Sequence, residues 1–129
     1  MIRIKSKSEK RLIIEGLVNG KKANFLVDTG ASIALISDRA VRRYGLIKGR
    51  EYNGTILGAG GEIENNYICN SLVDFYGKKL GQFVITDIGN IVESIERETG
   101  VTIIGIISLP QMKFAGIQID ANDNLIIIE

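Results

Sequence analysis

The chain has 129 residues, 45% hydrophobic and 24% charged, with a formal net charge of +1, which suits a globular domain with a core and gives no reason to expect a polyanionic partner. It holds no histidine and one cysteine, which removes Ser-His and Cys-His nucleophile pairs, His-ligated zinc and an internal disulfide together. The opening MIRIKSKSEK lacks the long apolar stretch of a secretion signal, and apolar runs such as 126–128 are far too short to cross a bilayer, so the expectation is a cytoplasmic protein with no membrane contact.

In chain order, the basic residues Lys5, Lys7, Lys10 and Arg11 come first. No aromatic residue is interleaved and Glu9 interrupts them, so they read as a solvated arm and not as a nucleic-acid surface. Residues 11–18 and 22–27 read as strands flanking Asn19-Gly20, a two-residue hairpin signal. The second strand runs directly into Asp28-Thr29-Gly30. After Ile33-Ala34-Leu35-Ile36, Ser37 reads as the N-cap of a short helix over 38–44, with Gly45 just past its end. Arg39, Arg42 and Arg43 form its wet face. Residues 51–57 and 62–68 read as two strands around Gly58-Ala59-Gly60-Gly61, and Cys69 as a buried small hydrophobe.

Residues 71–85 read as a second hairpin turning near Gly77-Lys78. Residues 91–99 are a helix candidate, with a loop carrying one helical turn as the alternative. Val101 to Gly105 follow, then a short segment around SLPQMK in which Pro110 suits a helical first turn. FAGIQID–ANDN–LIIIE closes the chain as a last hairpin. No repeat and no linker divides the sequence, so residues 1–129 are expected to form one domain. Many short strands make it mainly β, with a barrel-like or sandwich arrangement. No GxxxxGK[ST] or GxGxxG follows a strand. An enzyme with this sequence therefore works with carboxylates.

FLVDTGASIALIS, residues 25–37, sets Asp28 between two apolar runs. Such a carboxylate reads as partly buried, and burying it costs several kcal/mol unless something neutralises it or donates hydrogen bonds to it. Asp-Thr-Gly alone also fits a structural turn. The longer string FLVDTGAS resembles the active-site loop of the retroviral-type, retropepsin-like aspartic proteases. ILGAGGE (56–62) is similar to the glycine-rich tip of that family's flap. Val101-Thr102-Ile103-Ile104-Gly105 is similar to the strand before its C-terminal helix. The resemblance spans about Leu12 to Ile128. After the late glycine the chain departs from the family pattern with Ile106-Ile107-Ser108-Leu109-Pro110, which leaves the helix start open, and the region 86–100 is longer than a minimal viral enzyme needs.

The resemblance implies a mainly β, single-domain, retropepsin-like closed or partly open barrel with one or two short helices, active as a symmetric dimer. It implies an aspartic endopeptidase acting on peptide or protein substrates, with no metal and no cofactor. Asp28 is then the catalytic residue. Gly30 lets the backbone approach the carboxylate and donate its N–H, Thr29 offers a hydroxyl across a two-fold axis, Ala31 fits the crowding near that axis, and Ser32 can bond the outer oxygen of Asp28. Gly58, Ala59, Gly60 and Gly61 form the substrate-binding flap. The chemistry needs two carboxylates, and the chain carries one such loop, because Asp74, Asp87 and Asp120 are not followed by the same residues. The second Asp28 must come from another copy. The apolar terminal strands, Ile2 and Ile4 with Leu125 to Ile128, fit either a dimer interface or ordinary edge strands of one subunit. Two rival readings are a silent domain of the same fold acting as a peptide-binding or assembly module, and a structural barrel with an incidental Asp-Thr-Gly.

Overall fold

Asn19 and Gly20 take φ of 50° and 81°, the positive pair that a two-residue hairpin matched to strand twist requires. They join β2 (Ile13–Val18) to β3 (Lys21–Val27) in register from Val18↔Lys21 to Ile13↔Leu26. Along β3 the alternation is strict: Ala23, Phe25 and Val27 are buried and their neighbours are not, as a strand with one face on a core demands. The computed structural model describes residues 1–58, 61–63 and 65–129. The remaining elements are β1 (Ile2–Lys5), β4 (Ala34–Ser37), α1 (Ala40–Tyr44), β5 (Lys48–Glu51), β6 (Leu57–Gly58), β7 (Gly61–Glu62), β8 (Tyr67–Cys69), β9 (Val73–Phe75), β10 (Lys78–Leu80), β11 (Phe83–Thr86), α2 (Gly89–Thr99), β12 (Ile103–Ile107), α3 (Leu109–Ala115), β13 (Ile117–Asp120) and β14 (Leu125–Ile128).

Nine strands form one sheet in the order β10-β9-β2-β3-β12-β4-β11-β8-β5, curled into a half-barrel. Its central strands are apolar on both faces: all four residues of β11 are buried, as are four of the five in β12. Inside the curl, Phe25 meets Phe75 edge-on at 5.1 Å and Phe83 at 5.6 Å. All three rings are fully buried, each contributing roughly 1.5–3 kcal/mol by leaving water. On the other side α2 covers a smaller cluster of Ile13, Ile95 and Ile103, with Val92 packed against it. Val92 and Ile95 lie three apart and so share a helix face.

The terminal strands form a separate sheet, β1-β14-β13, with Ile2 and Ile117 both opposite Ile128. Both sides of β14 are therefore used within the chain, and β1 and β13 carry the edges.

Several local expectations change. Among the described residues the fold has three helices, one more than expected. Ser37 closes β4 and helix α1 starts only at Ala40, although the Ser37 hydroxyl still accepts the Arg39 N–H at 3.2 Å. The strand expected over 51–57 splits into β5, which ends at Glu51, and the two-residue β6. Pairing with Cys69 and Tyr67 sets the position of β5. Of the hairpin expected over 71–85, only β9 and β10 pair with each other. Gln82, at φ 64°, turns the chain so that β11 joins β4 and β8 instead. Phe114 and Ala115 belong to α3 and not to the last hairpin. Ser108 and Gln111 cap that helix reciprocally, and the cap overrides the strand propensity that follows.

Candidate active site

Asp28 is the first residue beyond β3, and its position follows from the way β3 and β4 embrace β12. β12 runs parallel to β3 and antiparallel to β4, so the loop between them must pass over the end of β12. Backbone hydrogen bonds pin it there. The Asp28 N–H donates to the Ile107 carbonyl at 3.1 Å, the Ala31 N–H to the Asp28 carbonyl at 3.1 Å, and the Leu109 N–H to the Ala31 carbonyl at 3.0 Å. Close approach at the crossing explains Gly105. A Cβ there would sit 2.7 Å from the Leu35 carbonyl oxygen and 2.9 Å from the Phe25 ring, well inside contact distance.

The Asp28 side chain is half-buried, and its Oδ1 accepts the Gly30 N–H at 2.9 Å. That bond supplies part of the compensation a carboxylate between apolar runs requires. Thr29 and Gly30 are exposed and Ala31 is half-buried. Among the described residues, no hydrogen bond joins Ser32 to Asp28; Ser32 lines a neighbouring cavity instead.

That cavity, of about 640 Å³, is open on one side, within the usual range for a site that holds a ligand group. Four separate stretches bound it. Ser32, Ile33 and Ala34 come from the Asp28 loop and β4. Tyr52 and Ile68 come from the hairpin of β5 and β8. Leu72 and residues 79–84 form the opposite wall, and Ser108, Pro110, Gln111 and Phe114 come from α3 and its cap. Beyond Tyr52 the same hairpin narrows to β6 and β7, which pair as Leu57↔Glu62 and Gly58↔Gly61. Of the four glycine-tip residues singled out in the sequence, Ala59 and Gly60 lie outside the described residues. Cys69 stays apart from this chemistry: it is buried, and burial pushes its thiol above the ordinary range, which makes it a poor thiolate nucleophile.

The profile of the aspartyl protease family matches residues 14–110, from the first hairpin through the Asp28 loop to the start of α3. The chain belongs to that family. Solved structures agree on the fold. A retropepsin-like aspartic protease from Rickettsia conorii superposes with a TM-score of 0.62 at 24% identity, covering 98% of this chain and 97% of that one. The EIAV protease, complexed with the inhibitor HBY-793, gives 0.62 at 23% identity, covering 87% and 94%. The retroviral protease-like domain of Ddi1 from Leishmania major gives 0.60 at 19% identity, covering 92% and 88%. No curated protein sequence matches the chain significantly.

For this retropepsin-like chain, sequence reasoning reached the loop but not the cavity beside it. Gln111 carried a readable signal, because Ser108-x-x-Gln111 is a capping box. Tyr52, Leu72, Gln82 and Phe114 carried none: they are far apart in the chain, and only the fold brings them to one surface. Among the described residues, no helix is long and apolar enough to cross a membrane.

Proposed function

We propose that the protein is an aspartic endopeptidase, acting through residues 1–129 as one domain and as a homodimer in which each subunit contributes Asp28. The observation that carries this reading is a half-buried carboxylate, held by the Gly30 N–H on a loop pinned to β12 and α3, whose Ser32 lines an open cavity. The family and the fold support it. Among the described residues, the other oxygen of Asp28 has no hydrogen-bond partner within the chain; a second copy across a two-fold axis supplies it.

Two carboxylates that close cannot both ionise, so the pair holds one proton. The ionised Asp28 takes a proton from a water molecule as its oxygen bonds to the peptide carbonyl carbon. The protonated one gives its proton to the carbonyl oxygen, forming a tetrahedral diol. Collapse of the diol breaks the carbon–nitrogen bond: the amine leaves with the proton the first carboxylate had taken, and a diol hydroxyl returns its proton to the second carboxylate as the acid product forms. Chemistry is supplied by the carboxylates and water, with no metal or cofactor. The hairpin tip, Gly58 to Gly61, closes over an extended peptide and shields this step from bulk water. A cytoplasmic setting fits the lone, buried, free Cys69.

The test is Asp28→Asn assayed on a mixed peptide library, with solution mass measured by light scattering. Cleavage that persists in the variant refutes the role of Asp28. A strictly monomeric chain at high concentration refutes the paired site. Wild-type protein that binds peptides without cutting them returns the domain to the binding-module reading.

A further inference from the structure

Gln111 is buried and does three things at once. Its Oε1 accepts the Ser108 N–H at 3.2 Å, its own backbone N–H donates to Ser108 Oγ at 3.4 Å, and its Nε2 donates to the Gly81 carbonyl at 2.6 Å. The first two bonds cap α3. The third leaves the helix altogether and grips the two-residue link between β10 and β11. That link needs an anchor, because Gln82 sits at φ 64°, a left-handed conformation that L-residues enter only at a cost. Helix α3 is itself tied to the Asp28 loop through the Leu109 N–H and the Ala31 carbonyl. A short chain of bonds thus runs from the Gly81–Gln82 wall of the cavity, through Gln111 and the first turn of α3, to the loop that bears Asp28.

We propose that Gln111 is a positioning residue for substrate: its side-chain amide fixes the Gly81–Gln82 wall relative to Asp28, so that the cavity takes a bulky apolar substrate side chain. This rests on the endopeptidase reading above. The apolar choice follows from the lining. Ile33, Ile68, Val84 and Pro110 face the cavity, and two large side chains at its rim, Leu72 and Phe114, are 54% and 84% exposed. Apolar surface of that size gains most when a bulky apolar group covers it. Without the grip of Gln111 on Gly81, the wall loses the bond that holds it at one distance from the loop, and the cavity loses its preference for a side chain of one size.

The experiment uses the full chain and a peptide library varied at each position around the cut site, with kcat and KM measured separately for each peptide. Gln111→Glu keeps the acceptor for the Ser108 N–H but, when ionised, has no hydrogen to give Gly81. At neutral pH it should raise KM about tenfold for peptides placing a bulky apolar residue in the cavity, the loss expected for one buried hydrogen bond. It should leave kcat unchanged and spare peptides with glycine at that position. Below the carboxyl range, about pH 4, the protonated acid donates again and the preference should return. Gln111→Met removes the side-chain half of the cap and the grip together, keeping only the backbone bond to Ser108 Oγ, and should flatten the preference at every pH, with thermal unfolding confirming that it folds. Wild-type selectivity in both variants overturns the proposal, as does an equal fall in kcat on all peptides, glycine peptides included. A wild-type chain that cuts nothing overturns the endopeptidase reading and this one with it, whereas an active wild type with indifferent variants overturns only this one.

Discussion

Asp28-Thr29-Gly30 and Asp87-Ile88-Gly89 are the same turn in two places. In each, the glycine N–H donates to the aspartate Oδ1 at 2.9 Å, and each follows a buried strand of the central sheet. Their surroundings differ. Asp28 is half-buried, on a loop that is tied by backbone bonds to β12 and α3 and whose Ser32 lines the cavity. Asp87 is exposed and starts α2, with the Arg39 guanidinium close to Gly89. The local bond is therefore not what makes a candidate active site. What separates the two is the tie to a crossing strand and the open cavity lined by the same loop.

The contrast can be broken most sharply by exchanging the carboxylates for amides. Asp28→Asn should lower cleavage about 10³-fold or more, since the proton-transferring group is lost, while Asp87→Asn should keep near wild-type kcat/KM. Equal effects would dissolve the distinction. Next in size is the crossing itself. Gly105→Ala forces a methyl against the Leu35 carbonyl and the Phe25 ring and should cost about 1–3 kcal/mol, read as a lower urea midpoint. The two glycines of the turns then separate. An added Cβ at Gly89 meets the movable end of Arg39 at 2.5 Å and Asp87 Oδ1 at 3.2 Å, whereas at Gly30 it meets Asp28 Oδ1 at 3.3 Å. Gly89→Ala should leave stability and kcat within about 0.5 kcal/mol of wild type. Gly30→Ala should lower kcat with little loss of stability, because what must give way is the carboxylate.

The smallest effect lies far from both turns. Lys7 donates to Glu15 at 2.7 Å, and that bond, with the nearby positive charge, holds the Glu15 carboxyl below its ordinary 4.5. A depressed folded value means the pair contributes above pH 4.5 and is lost as pH falls through the folded value. Lys7 is exposed and Glu15 half-buried at the surface, so the contribution should be a few tenths of a kcal/mol. Glu15→Gln should be slightly less stable than wild type near neutral pH, and the gap should close at pH 2 in paired urea titrations.

Much of the scaffold was legible because its signals are local. Asn19-Gly20 specifies its own turn, Gly45 ends α1 at φ 65°, and the Asp28 loop shows in eight consecutive letters. The helix over 91–99 was visible as spaced apolar residues, and the structure starts it two residues earlier, at Gly89. The readings that failed depend on partners elsewhere. β5 ends where β8 stops pairing with it, β11 leaves its expected hairpin because β4 offers a parallel register, and Phe114 turns outward because the cap at Ser108 sets the phase of α3. Ser32 was expected on Asp28 but lines the cavity, a matter of loop path that three or four letters do not encode.

By itself, the sequence determined the chemistry available to this protein: without histidine, and with one Asp-Thr-Gly loop between apolar runs, carboxylates were the groups left for catalysis, because side-chain type and short-range turn geometry are properties of neighbours in the chain. Only the tertiary structure decided where that carboxylate sits and what lies beside it. The embrace of β12 by β3 and β4, and the convergence of Tyr52, Leu72, Gln82, Gln111 and Phe114 on one cavity, arise from burying apolar strands against each other, and that packing joins residues with no relation in sequence.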